Sequence, residues 1–195
     1  MNPEPAEPSP PEAPRVAYPG SFDPPTVAHL AVAMAAREHI PHASVELVVS
    51  RDALGKHTNA QAPSLAARLD VLRAATADHS WLSVTLTEYQ FIADIAEGYT
   101  AVVVGADKWR QIIDPSWYAD DAECELMRAR LPRVLVVPRA DDDLADVGPD
   151  IEILEIPEAF RDVSATAARA GANHLMLPAA ARYAEQSGHW GAATG

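Results

Sequence analysis

Cysteine is almost absent from this 195-residue chain: Cys124 is the only one. A single thiol closes no internal disulfide and supplies no cysteine-rich metal site, which fits a reducing compartment and makes the cytoplasm the expected location. Long apolar runs are missing as well. None approaches the roughly 20 residues needed to cross a bilayer, and the N-terminus carries acids and prolines where a signal peptide would place basic residues before an apolar stretch. A soluble chain with no membrane partner is expected. Cations are scarce, with 15 Lys and Arg against 28 Asp and Glu and a formal charge of -13. A surface of that sign repels a phosphate backbone rather than releasing its counterions, so large nucleic acids are disfavoured as partners. A small anion is not excluded, because it needs only a local pocket of amides and a few cations. His39, His42, His79, His174 and His189 show no metal-ligand spacing, and no protein metal site is expected.

What is present suffices for one core. With 48% hydrophobic residues over this length, a single domain is the default. Residues 1–14 combine Pro, Glu and Ala without a large apolar side chain and read as a disordered tail. Residues 15–190 are expected to form the domain, and 191–195 a frayed end. Within the domain, Val16 to Tyr18, Val45 to Val49, Leu82 to Leu86, Ala101 to Val104, Val134 to Val137 and Ile151 to Ile156 read as strands, several continuously apolar, as strands buried on both faces are. Helical periodicity falls at Thr26 to His39, Ser64 to Ala77, Phe91 to Glu97, Asp120 to Arg130, Ser164 to Ala170 and Pro178 to Gln186. Repeated strand-then-helix order predicts an α/β domain, a Rossmann-like doubly wound parallel sheet with C-terminal helices. Ligands of such sheets sit outside the carboxyl ends of the strands. The clustered acids of 141–150 suggest a solvated loop.

The first strand runs into Tyr18-Pro19-Gly20-Ser21-Phe22-Asp23-Pro24-Pro25-Thr26-Val27-Ala28-His29, a turn that opens directly into a helix. A turn lets backbone N–H groups approach an anion, and the helix start adds unpaired donors and a partial positive charge. His29 falls in the first helical turn, where an imidazole can donate to phosphate oxygens. An ordinary strand-to-helix turn capped by Thr26 explains the same residues equally well. Far downstream, Ser164 and Thr166 can cap a helix and donate hydroxyls, with Arg169 about one turn on facing the same anion; a plain N-cap with a surface arginine is the competing reading.

The first stretch resembles the G-x-F-D-P…(H/T)-x-G-H signature of the nucleotidyltransferase superfamily that includes nicotinate-mononucleotide and pantetheine-phosphate adenylyltransferases. The second histidine of that signature falls on His29 and the first on Thr26, while its glycine falls on Ala28, a departure that adds a methyl where a nucleotide approaches closely. Val163-Ser164-Ala165-Thr166-Ala167-Ala168-Arg169 is similar to the I-S-S-T-x-x-R motif of the same families. Val104-Gly105-Ala106-Asp107 with Pro115-Ser116-Trp117-Tyr118 and Val136-Val137-Pro138-Arg139 resembles the nicotinate branch. So does Leu177-Pro178 through Tyr183.

The resemblance implies an adenylyltransferase that moves AMP from ATP onto nicotinate or nicotinamide mononucleotide and releases pyrophosphate. His29, Thr26 and Arg169 would be the catalytic group. ATP would be held by Gly20, Ser21, Phe22, His29, Gly105, Asp107 (a strand end that accepts from ribose hydroxyls), Ser164, Thr166 and Arg169. Lys56, in the loop after the second strand, with Trp117 and Tyr118 would meet the acceptor, Trp117 by offering a flat face to a pyridine ring. Magnesium is expected to accompany ATP, held by phosphate oxygens and water. ATP and a phosphorylated small molecule are the expected partners, and assembly into a homo-oligomer is left open. Two alternatives stand beside this reading: a different acceptor such as phosphopantetheine, favoured by Thr26 and the Tyr18–Pro24 run, and a catalytically weakened nucleotide-binding protein, motivated by Thr26, Ala28 and the Lys56-His57 order.

Overall fold

The structure is a computed structural model and describes residues 13–52, 62–138, 148 and 150–191. Six parallel strands, β1 (Arg15–Pro19), β2 (Ser44–Ser50), β3 (Leu82–Thr87), β4 (Ala101–Gly105), β5 (Arg133–Val137) and β6 (Glu152–Ile153), form one sheet in the order β3-β2-β1-β4-β5-β6. This is the doubly wound arrangement expected from the sequence. Among the described residues the α-helices are α1 (Val27–His39), α2 (Leu65–Thr76), α3 (Ile92–Ile95), α4 (Ala106–Ile113), α5 (Asp121–Ala129), α6 (Ala165–Arg169) and α7 (Pro178–Ser187).

Strand side chains alternate between two faces. Val16, Val45, Leu47, Val103 and Leu135 join a core with Val32, Ala36, Leu69 and Leu72 of α1 and α2. Ala17, Val48, Val102, Val104 and Val136 join a second with Ile95, Trp109 and Ile112 from the helices of the other face. Burial on both sides explains why these strands are almost continuously apolar. A third cluster, Val71, Ala168, Met176, Ala180, Ala184 and Trp190, fastens α6 and α7 to the outside of α2.

Three differences from the expected elements have physical causes. No helix is expected between Val104 and Pro115, yet α4 occupies Ala106–Ile113. Its buried Ala106, Trp109 and Ile112 recur at helical spacing, and the strand stops at Gly105. The sixth strand shrinks to Glu152–Ile153, although Leu154 and Ile156 remain buried at 2% and 6% exposure. It is an edge strand whose ladder reaches only Leu135 and Val136. At the other end, the Pro14 carbonyl already accepts from the Ser44 amide at 2.9 Å, so backbone pairing with β2 begins one residue before the expected domain start.

Candidate active site

β1 and β4 are neighbours at the centre of the sheet, but their following helices cover opposite faces, which opens a crevice at their carboxyl ends. Val16 pairs with Ala101 and Ala17 with Val102; continuing that register sets Gly20 level with Gly105. Both glycines of the sequence motifs therefore lie at this switch point, for different reasons.

Gly20 makes room inside the protein. A Cβ there would stand 2.8 Å from Cζ of Phe22, whose ring is 2% exposed and packs edge-on to Tyr18 and His29 with centroids 5.4 and 5.0 Å away. The Gly20 amide donates to the Val48 carbonyl at 3.0 Å, so its N–H is committed to the sheet rather than to an anion. Phe22 adopts φ 44, an uncommon conformation for a bulky residue that its buried surroundings hold in place. The Ser21 carbonyl accepts from Nη1 of Arg68 on α2 at 3.3 Å. Because a trans peptide is planar with C=O and N–H antiparallel, that bond aims the Phe22 amide away from Arg68. The Phe22 amide is thus one donor that the turn can present.

Thr26, 1% exposed, caps α1, and His29 occupies its first turn as expected. The Thr26 amide donates to Nδ1 of His29 at 2.9 Å, and the Thr26 hydroxyl lies 2.9 Å from the same nitrogen. An amide N–H only donates, so Nδ1 carries the lone pair and the ring proton resides on Nε2. The capping contact thereby selects the tautomer of the imidazole.

The downstream motif arrives at the same turn. Oγ of Ser164 caps α6 by accepting from the Ala167 amide at 3.1 Å. Arg169 donates from Nη2 to the Thr166 hydroxyl at 3.1 Å and from Nη1 to the Asp23 carbonyl, across 146 residues of sequence. A guanidinium carries five donors in a fixed fork, so these two bonds orient it beside the turn without exhausting it. Chain closure is reinforced by the Leu177 amide on the Pro25 carbonyl at 3.0 Å, by the pairing of Thr26 with Met176, and by Trp190 Nε1 on Asp23 Oδ1 at 2.6 Å.

At β4, Gly105 differs from Gly20. Its φ of -72 and ψ of 156 suit any residue, and an added Cβ meets nothing described within 4 Å. Neither conformation nor packing of the protein explains a glycine there. Asp107 does not end the strand: it lies in the first turn of α4, its side chain 64% exposed and 3.8 Å from Arg110. Trp117, in a 3-10 turn at Pro115–Trp117, is 39% exposed. Tyr118 is committed structurally, its hydroxyl donating to the Ile112 carbonyl at 2.8 Å and its ring stacked on Phe91 at 5.5 Å, with burial raising its pKa. Lys56 and Arg139 lie outside the described residues. Arg68, Asp23 and Trp190 are the site residues that sequence reasoning misses. The spacing of Arg68 from the Ser64 cap of α2 is a faint signal for the first; Asp23 is the acid of the F-D-P motif, though nothing local shows what it bonds, and no local pattern marks Trp190.

Among the described residues no group of three or more His, Cys, Asp or Glu side chains is placed to hold a metal, and no helix is long and apolar enough to cross a membrane. The donors gathered at the crevice are amides, hydroxyls, an imidazole and guanidinium groups.

A strand-to-helix turn at the switch point of a parallel sheet, closed by the 164–169 segment, stands where such sheets receive ligands, and the class of protein is a nucleotidyltransferase. Residues 17–171 match the cytidylyltransferase-like family, and the chain belongs to it. No curated protein matches the chain by sequence. Among solved structures, nicotinic acid mononucleotide adenylyltransferase of Plasmodium falciparum complexed with NaAD is similar in fold, with a TM-score of 0.65 at 17% identity over 92% of this chain and 98% of that one. The same enzyme complexed with APC gives 0.64 at 16% identity, with equal coverage.

Proposed function

We propose that the protein is an adenylyltransferase that moves AMP from Mg-ATP to nicotinate or nicotinamide mononucleotide. An acceptor phosphate oxygen attacks the α-phosphorus of ATP in line; the new O–Pα bond forms as the bond to the bridging oxygen breaks, and pyrophosphate leaves with that electron pair. The acceptor oxygen is already anionic, so no protein nucleophile or general base is required. Catalysis then consists of orientation and of stabilising charge that moves onto the leaving group.

His29 donates from Nε2, and Arg169 from its remaining N–H groups, to the β and γ phosphates. Gly20, Ser21, Phe22 and Thr26 shape the turn, of which the Phe22 amide and the start of α1 are the donors. Ser164 and Thr166 hold α6 and Arg169 in place. Gly105 leaves space for the nucleotide, and Asp107 accepts from ribose hydroxyls. Trp117 offers its exposed face to the pyridine ring, and Tyr118, held by the Ile112 carbonyl and the Phe91 ring, is structural rather than a ligand contact; Lys56, outside the described residues, is assigned to the acceptor by the resemblance alone. The donor set suits an anion and not a bare cation, so magnesium would enter with ATP and would be held by phosphate oxygens and water rather than by side chains.

The observation that carries this reading is the meeting of the two end motifs at Asp23 through Arg169. Support for the pyridine acceptor is the fold likeness together with the Gly105, Asp107 and Trp117 segment; Thr26 favours phosphopantetheine. Ala28, 9% exposed at the start of α1, favours the second reading, a binding protein with weakened turnover. Pyrophosphate release from Mg-ATP with nicotinate mononucleotide, nicotinamide mononucleotide and phosphopantetheine offered separately tests all three. Release with a pyridine nucleotide is expected, and His29→Ala should lower kcat by about 10²–10³-fold. Unchanged turnover in that variant would remove His29 from the mechanism.

A further inference from the structure

Asp23 is gripped at two points from the far end of the chain. Arg169 donates to its carbonyl, and Trp190 Nε1 donates to its carboxylate at 2.6 Å across 167 residues. The path that delivers Trp190 is a sharp reversal. α7 ends at Ser187, Gly188 turns at φ 74 with its amide on the Ala184 carbonyl, and Trp190 itself takes φ 59. A bulky residue adopts that conformation only where its surroundings hold it. Here they do: the indole is 5% exposed, seated among Val71, Ala168, Met176, Ala180 and Ala184, with the Tyr183 ring 5.4 Å away.

Apolar packing explains a buried indole but not the direction of its N–H. An indole nitrogen donates only, and a bond to a carboxylate is about twice as strong as one between neutral groups. The partner it reaches follows Phe22, the strained residue of the phosphate turn. We infer that Trp190 is a positioning residue which, through Asp23, holds the 20–26 turn in the form that receives nucleotide phosphates. It acts from outside the family-matched residues 17–171. The nucleotide part of this inference rests on the function proposed above; the holding of the turn does not.

With the bond removed, Arg169 still fixes the Asp23 carbonyl, so the turn stays folded while sampling other forms. Nucleotide affinity then falls by the fraction of time the competent form is lost. Trp190→Phe in the full chain keeps an aromatic ring and deletes the donor. Three measurements read it: hydrogen exchange of the 20–30 amides, calorimetric Kd for Mg-ATP, and Tm. Faster exchange in the turn and Mg-ATP binding weakened about ten-fold or more are expected. Asp23→Leu should match it, with the double variant no weaker than either single one, because both delete the same bond. A lowered Tm with unchanged turn exchange and unchanged affinity, or additive effects in the double variant, would overturn the inference and leave Trp190 as core packing. A wild type that binds no Mg-ATP would sink the nucleotide reading, while the exchange contrast alone would still decide whether Trp190 holds the turn.

Discussion

Gly105→Ala and Gly20→Ala are the same chemical change at adjacent positions of one crevice, and the structure assigns them opposite consequences. At Gly105 the backbone suits alanine and the added methyl meets nothing described within 4 Å. Two small terms compete in the folded protein. Losing glycine freedom from the unfolded chain stabilises by about 0.4–1 kcal/mol, and alanine at the cap of α4 destabilises by about 0.5–1 kcal/mol. They nearly cancel, so Tm should move by no more than about 2–4 °C. In the proposed function the methyl would instead stand where the nucleotide is to lie. Overpacking a fitted contact costs about 1–3 kcal/mol, which raises Kd for Mg-ATP about 5- to 150-fold. At Gly20 the methyl would stand 2.8 Å from the buried Phe22 ring. The same overpacking cost of about 1–3 kcal/mol then falls on the fold, and Tm should drop by several degrees, at about 2–4 °C per kcal/mol. Differential scanning calorimetry and isothermal titration with Mg-ATP separate the two. A stable Gly105→Ala protein that binds Mg-ATP like wild type would refute the idea that this glycine reserves space for a ligand.

Three further outcomes are expected. Trp117→Ala should raise KM for the pyridine nucleotide about 2- to 13-fold, the worth of an offset stack, while Tm and Mg-ATP affinity hold, because the side chain is 39% exposed; an unchanged KM takes Trp117 out of the site. Cys124 is buried, its Sγ facing the Ile112 carbonyl at 3.8 Å, and burial raises its pKa. It should resist thiol reagents at pH 8 in the native protein and react as one thiol per chain only after denaturation. Hydrogen bonds from Arg133 and then from His39 lower the Glu152 carboxyl to about 2. Because the folded value lies below the unfolded one, the stabilisation is full above the ordinary carboxylate range and is lost as pH falls towards about 2. Both side chains are more than a third exposed, so the effect is at most about 1 kcal/mol. Urea midpoints of wild type and Glu152→Gln should differ above pH 5 and converge near pH 2; a constant offset would contradict the linkage.

Much of this was legible because it is local. Strands whose alternate residues enter different cores leave apolar runs, and amphipathic helices leave a stripe, so β1 to β5 and α1, α2, α5 and α7 fall close to where periodicity puts them. The turn and its helix start are readable for the same reason: Gly20, Thr26 and His29 lie within ten residues. The α4 helix was hidden because its first residues also carry the Gly105–Asp107 motif, and a motif taken as a strand end suppresses the apolar spacing of Ala106, Trp109 and Ile112. The reason for Gly20 could not be read either. The sequence suggests close approach of an anion, whereas the contact that forbids a side chain is with Phe22, set by the φ of that residue.

The least legible part is what joins the ends of the chain, and it bears on how so acidic a protein would bind the polyanion of the proposed function. With a formal charge of -13, the surface as a whole opposes an incoming nucleotide. Two guanidinium groups nevertheless stand at the turn, Arg68 on the Ser21 carbonyl and Arg169 on the Asp23 carbonyl. Each comes from a different helix, and neither is near the turn in sequence. By drawing those carbonyls aside they do more than add charge: the first bond turns the Phe22 amide the other way, and the second holds the residue whose carboxylate Trp190 also binds. Short-range preorganised donors act where surface charge is screened beyond about 8–10 Å, so a site of this kind works against the sign of the surface around it. Affinity is then set by how firmly the turn is held, which depends on contacts 47, 146 and 167 residues away, and no windowed pattern of composition or periodicity reports contacts at those separations.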